Sequence, residues 1–198
     1  STSDLCLPTE ALNFGITNWG ENSSDTNYTV DFGDGATETY TQSELESSSF
    51  YDTSNPENSA TFPTPHSYTT GSCTDTSNSF TARLTVENAC ASTTFTVSNI
   101  STLQSSEATF DSPGTGCVNT PIEFINNTVI GDNPGCSKVA NLEWDFGDGT
   151  TLVNDNNTSE SNNQSHTYSD PGTYTVTLRV TSRCGTDVFT RQICIEPE

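Results

Sequence analysis

Positive charge is nearly missing from this chain. Five basic residues (Arg83, Lys138, Arg179, Arg183 and Arg191) stand against 26 acidic ones, for a formal net charge of −21. Nucleic acid and anionic lipid are excluded as partners, because both need clustered cations to neutralise phosphate and release counterions. No apolar run approaches the ~18 residues of a membrane-spanning helix, so membrane insertion is not expected. No basic-plus-apolar leader stands at Ser1 either, and the chain reads as a mature piece cut from something longer. Methionine is absent, and histidine occurs only at His66 and His166. With no Cys-x-x-Cys pair and so few histidines, a zinc site is not expected. The chain also lacks Gly-x-Ser-x-Gly, His-Glu-x-x-His and a phosphate-cradling glycine loop. It reads as a protein without enzymatic activity.

What the chain does have, it has twice. Asp-Phe-Gly-Asp-Gly stands at Asp31, Phe32, Gly33, Asp34 and Gly35, and again at Asp145, Phe146, Gly147, Asp148 and Gly149. Alternating apolar residues precede each copy: Tyr28 and Val30 in the first, Leu142 and Trp144 in the second. A strand with every second side chain apolar that ends in Asp-Gly predicts a half-buried strand entering a tight turn. His66-Ser-Tyr68 answers His166-Thr-Tyr168, Cys90 answers Cys184, and Phe95 answers Phe189. The offset falls from 114 residues at Asp31/Asp145 to 100 at the histidines and 94 at the cysteines. Loops therefore change length while the strands keep their order, the signature of one module written twice.

The strand pattern is clearest in the second copy. Short strands are predicted at Ala108–Phe110, Ile122–Ile125 and Leu142–Phe146. Longer ones follow at Tyr174–Val180 and Asp187–Ile195. The loop Gly131–Ser137 contains Pro134 and Gly135, Ser169–Gly172 is a turn by residue type, and Asn154–Ser165 is too polar to pack. In the first copy Leu12 and Phe14 match Ile122 and Phe124. Its first strand is missing, truncated or supplied by Ser1–Leu5. No helical periodicity is present. The expected fold is all-β: two tandem immunoglobulin-like sandwiches, 1–103 and 104–198, joined through Ser101–Ser106 as an elongated rod.

Trp144-Asp-Phe-Gly-Asp-Gly-Thr, His166-Thr-Tyr168 and Pro171-Gly-Thr-Tyr-Thr-Val-Thr-Leu resemble the polycystic kidney disease (PKD) domain, an immunoglobulin-like β-sandwich. The resemblance covers 104–198. The first copy diverges, with Val30 at the tryptophan position and Thr70-Gly-Ser-Cys73 in place of the Pro-Gly turn. The cysteines and the scarcity of lysine also resemble modules of the giant gliding-motility adhesins of flavobacteria, the SprB type. That resemblance implies an extracellular, cell-surface setting whose partners are neighbouring repeats of the same polypeptide. A surface or polysaccharide ligand would be bound outside them.

The paired motif carboxylates are read as turn formers and the two histidines as hydrogen-bonding groups inside the fold, because both sets recur in both copies. No cofactor is required. Some PKD modules bind Ca²⁺ at a domain end, and Asp132 and Glu107, with Asn133 beside them, are the candidate ligands. The seven cysteines read as a disulfide framework of an oxidising compartment. Partners must share an end of the sandwich, since a bridge needs Cα atoms within roughly 7 Å. Strand direction then pairs Cys6 with Cys73, Cys117 with Cys194 and Cys136 with Cys184. Cys90 is left over, either deprived of a partner or a plain loop thiol. Two functions stay open. One is a structural and adhesive repeat of a bacterial cell-surface filament used in gliding. The other is an accessory substrate-binding module of a secreted polysaccharide- or protein-degrading hydrolase, for which Trp19, Phe50 and Tyr51 are the exposed aromatic candidates.

Overall fold

The computed structural model describes residues 4–9, 11–17, 19–47, 60–62, 64–74, 76–158 and 162–197. The chain divides into two compact units, Ser1–Thr102 and Leu103–Glu198, each with its own apolar core.

The first unit holds β1 (Leu5–Cys6), β2 (Gly15–Ile16), β3 (Asn27–Asp31), β4 (Thr37–Thr41), α1 (Gln42–Glu46), β5 (Ala60–Thr61), β6 (Phe80–Glu87) and β7 (Ser92–Ile100). A short β8 (Thr102–Leu103) follows at the boundary. The second unit holds β9 (Phe110–Asp111), β10 (Thr115–Cys117), β11 (Ile122–Asn126), β12 (Ala140–Asp145), β13 (Thr151–Asn157), β14 (Gln164–His166), β15 (Gly172–Ser182) and β16 (Gly185–Glu196).

The second unit is a two-sheet sandwich. Five strands in the order β10-β16-β15-β12-β13 face three in the order β14-β11-β9. Period-two alternation decides which side chains meet between them. Leu142 and Trp144 of β12 and Val176, Leu178 and Val180 of β15 are fully buried, while Glu143 and Arg179 face water and pair at 3.5 Å. Phe110, Ile122 and Phe124 close the core from the smaller sheet. All pairings are antiparallel except β10 with β16, which run parallel. The fold is the immunoglobulin-like sandwich expected from the strand pattern.

The first unit repeats this plan, with fewer strands among the described residues. Its larger sheet runs β4-β3-β6-β7, and the facing layer is the two-stranded pair β2-β5. Leu12 bridges His66 as Ile122 pairs with His166, so β2 occupies the place of β11. Leu5 of β1 donates its backbone N–H to the Ser101 carbonyl and half-buries its side chain against the core. Residues 1–3, the other part of the expected first strand, lie outside the described residues.

Four expectations need correcting. The polar stretch Asn154–Ser165 is not simply a loop: β13 runs through Asn157, and β14 begins at Gln164. β13 is an edge strand with Leu152 and Val153 exposed, so backbone pairing to β12 holds it without any apolar face. A helix is present after all. In α1, Thr41 and Glu44 form a reciprocal capping box, and five residues are too few to show a helical period. Trp19 is 1% exposed and belongs to the core, so it cannot serve as a surface aromatic. Phe50 and Tyr51 lie outside the described residues.

The fourth correction concerns Cys117 and Cys194, which are free and exposed. They do share an end of the sandwich, but register separates them. Thr115 pairs with Cys194 and Cys117 with Glu196, so the two thiols stand two positions apart on adjacent strands. Strand spacing and rise then put their Cα atoms about 8 Å apart, beyond bridging distance. Cys6, Cys73, Cys136 and Cys184 are all disulfide-bonded. Cys90 is free and exposed beside Asn88, whose side-chain oxygen accepts from the Cys90 and Ala91 backbone N–H groups.

Candidate functional site

The duplicated motif builds one hydrogen-bonded cluster in each unit, to nearly identical geometry. Asp31 Oδ1 accepts from Gly33 N–H at 2.9 Å, and Asp145 Oδ1 accepts from Gly147 N–H at 2.9 Å. The second aspartate closes the turn: Asp34 Oδ1 accepts from Ala36 N–H at 3.0 Å and Asp148 Oδ1 from Thr150 N–H at 2.9 Å. Short carboxylates suit this role because they reach backbone donors two residues ahead. Gly33 (φ +84°) and Gly147 (φ +82°) adopt left-handed backbone. A Cβ at either would also lie 2.6 Å from the Thr81 carbonyl oxygen or 2.7 Å from that of Thr175. Glycine is required there twice over.

The remaining carboxylate oxygen of each turn holds a histidine. His66 Nε2 lies 2.9 Å from Asp34 Oδ2, and His166 Nε2 lies 2.7 Å from Asp148 Oδ2. Each imidazole stacks on the motif phenylalanine, Phe32 at 3.9 Å and Phe146 at 4.1 Å between ring centres. Its edge meets the tyrosine two residues on, at 4.8 Å for Tyr68 and 4.7 Å for Tyr168. The tyrosine hydroxyls return to the motif, donating to the Phe32 carbonyl at 3.0 Å and the Phe146 carbonyl at 2.9 Å. Burial pushes both phenols well above their ordinary range, with the nearby aspartates adding to the shift. For Asp148, burial acts to raise the carboxyl, but hydrogen bonds from His166 and Thr150 outweigh it and hold the group below its usual value. Both oxygens of Asp34 and Asp148, the Nε2 of each histidine and both tyrosine hydroxyls have partners inside the fold. No hydroxyl or thiol nucleophile stands against either imidazole among the described contacts. The cluster ties the turn to the strand that follows it.

Of the candidate calcium ligands, Asp132 already has partners in the fold. Asp132 is 6% exposed, accepts from Gln104 N–H at 3.3 Å and faces Lys138 Nζ at 4.0 Å. Glu107 is exposed and bridges Val129 through its backbone. No cluster of three or more His, Cys, Asp or Glu side chains forms among the described residues.

Sequence reasoning missed an apolar groove in the first unit. Ile16, Leu84, Val86 and Phe95 line a space of about 410 Å³, with Asn22 and Glu87 among its polar rim. Phe95 is 57% exposed, and Leu84 and Val86 are only half-buried. The signal in the sequence is the pair Phe95 and Val97, apolar residues of β7 that share one face and stay exposed.

The sequence model of the PKD domain family matches residues 118–195. The second unit is supported as a PKD-type domain, and PKD and immunoglobulin-like domains are typically non-catalytic. Among solved structures, the chain is 28% identical to a carbohydrate-binding module from the β-sandwich superfamily described as promiscuous in specificity, covering 48% of this chain and 35% of that one, with a TM-score of 0.38. It therefore spans about a third of that relative's length. It is 25% identical to the PKD1 domain of Vibrio anguillarum Epp over 48% of this chain and 98% of that one (TM-score 0.36). The I67–I69 fragment of titin is 12% identical over 99% of this chain and 63% of that one (TM-score 0.48). The disulfides and the PKD match point to a secreted or extracellular domain, and no helix among the described residues is long and apolar enough to cross a membrane.

Proposed function

We propose that this chain is a non-catalytic structural and adhesive repeat of a bacterial cell-surface filament, of the kind used in gliding motility, working beside neighbouring repeats of the same polypeptide. The observation that carries the reading is the duplicated Asp–His–Tyr cluster. Its polar groups, the ones that would do acid–base chemistry, are spent on holding a turn to a strand, and the arrangement occurs twice. Disulfide-bonded cysteines in each unit support a load-bearing role, since a bridged loop cannot be drawn out even after the core has opened. The gliding context rests on the cysteine-bearing, lysine-poor character of the modules.

An accessory role beside a hydrolase is the second reading. Sugar-gripping surfaces present exposed aromatic rings, and Trp19 is lost to the core, which leaves Phe95. Single-molecule pulling of the intact chain separates the two. A filament repeat gives high-force unfolding of both units, with an extension that grows when the bridges are reduced. Low-force unfolding that reduction leaves unchanged, together with retention on an insoluble polysaccharide, would replace the first reading with the second.

A further inference from the structure

Cys6, Cys73, Cys136 and Cys184 are spent on disulfides, and two of the free thiols stand on neighbouring strands. In the parallel pair β10–β16, Thr115 is opposite Cys194 and Cys117 is opposite Glu196. Residues opposite one another, and residues two apart on one strand, share a face of the sheet. Cys117 and Cys194 therefore share one. The core marks the other face: Ile193 and Ile195 are buried, and a Cβ at Gly116 would lie 2.5 Å from Ile122 Cδ1. Both thiols are exposed on the water side. Backbone bonds fix the offset between them. Cys194 N–H donates to the Gly114 carbonyl and Val118 N–H to the Glu196 carbonyl, each at 3.0 Å.

We infer that Cys117 and Cys194 form a two-coordinate site for a soft monovalent cation, copper(I). The separation that forbids a disulfide suits an ion held between two sulfurs. A bridge keeps its sulfurs about 2.05 Å apart and spans at most roughly 7 Å between Cα atoms. A metal held in line by two thiolates, with bonds of about 2.3 Å, keeps them about 4.6 Å apart. The reach between Cα atoms grows by about 2.5 Å, enough for the ~8 Å that the strands impose. Thiolates select soft ions. Zinc needs a tetrahedron of ligands, and no group of three or more His, Cys, Asp or Glu gathers among the described residues. Calcium takes only oxygen ligands. Closed-shell copper(I) is satisfied by two sulfurs, and the charge of −21 draws a cation in. On binding, two S–H bonds break, two Cu–S bonds form and two protons leave, while copper stays monovalent. The same offset keeps the two thiols from closing into a bridge that would abolish the site.

The test is an anaerobic titration of the intact chain, disulfides closed, with copper(I) supplied as its acetonitrile complex in competition with bicinchoninate. One ion per chain is expected, with a sulfur-to-copper charge-transfer band in the ultraviolet. X-ray absorption should show two sulfur neighbours. Cys117→Ser and Cys194→Ser should each weaken binding roughly a hundredfold or more, because a single thiol loses the advantage of the second. Both side chains are exposed, so the substitutions spare the fold, and a circular dichroism melt checks this. Cys90→Ser, which removes the free thiol of the first unit, should leave binding unchanged. Absence of binding overturns the inference, as does loss of binding in Cys90→Ser or tight binding in either single variant of the pair. One ion per two chains overturns it too, because the sulfurs then come from different copies. Zinc held as tightly as copper(I) would mean a larger ligand set and overturns it as well.

Discussion

At the scale of single residues, the two tyrosines decide how tightly each motif is closed. Tyr168 is fully buried, and its hydroxyl is the donor that satisfies the Phe146 carbonyl. Replacing it with phenylalanine strands that carbonyl, at a cost of about 1–3 kcal/mol. The same substitution has a pH signature. Folding raises the phenol above its unfolded value of roughly 10, so the neutral form binds its proton more tightly in the native state. Its contribution is complete below about pH 10 and disappears as pH climbs toward the folded value. Urea midpoints measured between neutral pH and pH 11 should therefore fall steeply for the parent chain and less steeply for Tyr168→Phe. Equal slopes would mean that the hydroxyl is not buried. Asp148 acts in the opposite direction: its lowered carboxyl contributes above the usual carboxylate range and is lost as acid protonates it.

At the scale of elements, register outranks proximity. Cys117 and Cys194 share one end of the sandwich, and the parallel β10–β16 pairing brings their strands side by side. What no residue spacing shows is the offset of two positions, which keeps both thiols free. Thiol titration of the unfolded, unreduced chain should therefore count three reactive cysteines: Cys90, Cys117 and Cys194. A count of one would restore the Cys117–Cys194 bridge. The edge strand β13 teaches the same lesson. Its Asn-rich sequence carries no packing signal, because an edge strand is stabilised by its neighbour's backbone and not by a buried face.

At the scale of the whole molecule, the charge of −21 is not gathered into a cluster of three or more metal-ligating side chains among the described residues. Asp132 already has Lys138 and the Gln104 amide as partners. Calcium at Asp132 therefore competes with the Lys138 ammonium, 4.0 Å away. Melting the chain with millimolar Ca²⁺ and with chelator should separate the two curves only modestly, by far less than a structural ion would. A chain unfolded in chelator and folded in Ca²⁺ would show that the ion, and not the disulfides, is the principal staple.

The sequence by itself determined the two-copy architecture, the order of the long strands and the residues of the Asp–His–Tyr cluster. Those features are written in local alternation and in motif chemistry that each copy repeats. The tertiary structure alone decided the partners: which carboxylate oxygen holds which imidazole, that Trp19 turns inward, and that two cysteines at one end miss each other by register. It also decided that the first unit leaves Phe95 uncovered. An alternating strand looks the same whether or not another strand lies across it, so an open sheet face becomes visible only when the layers are stacked.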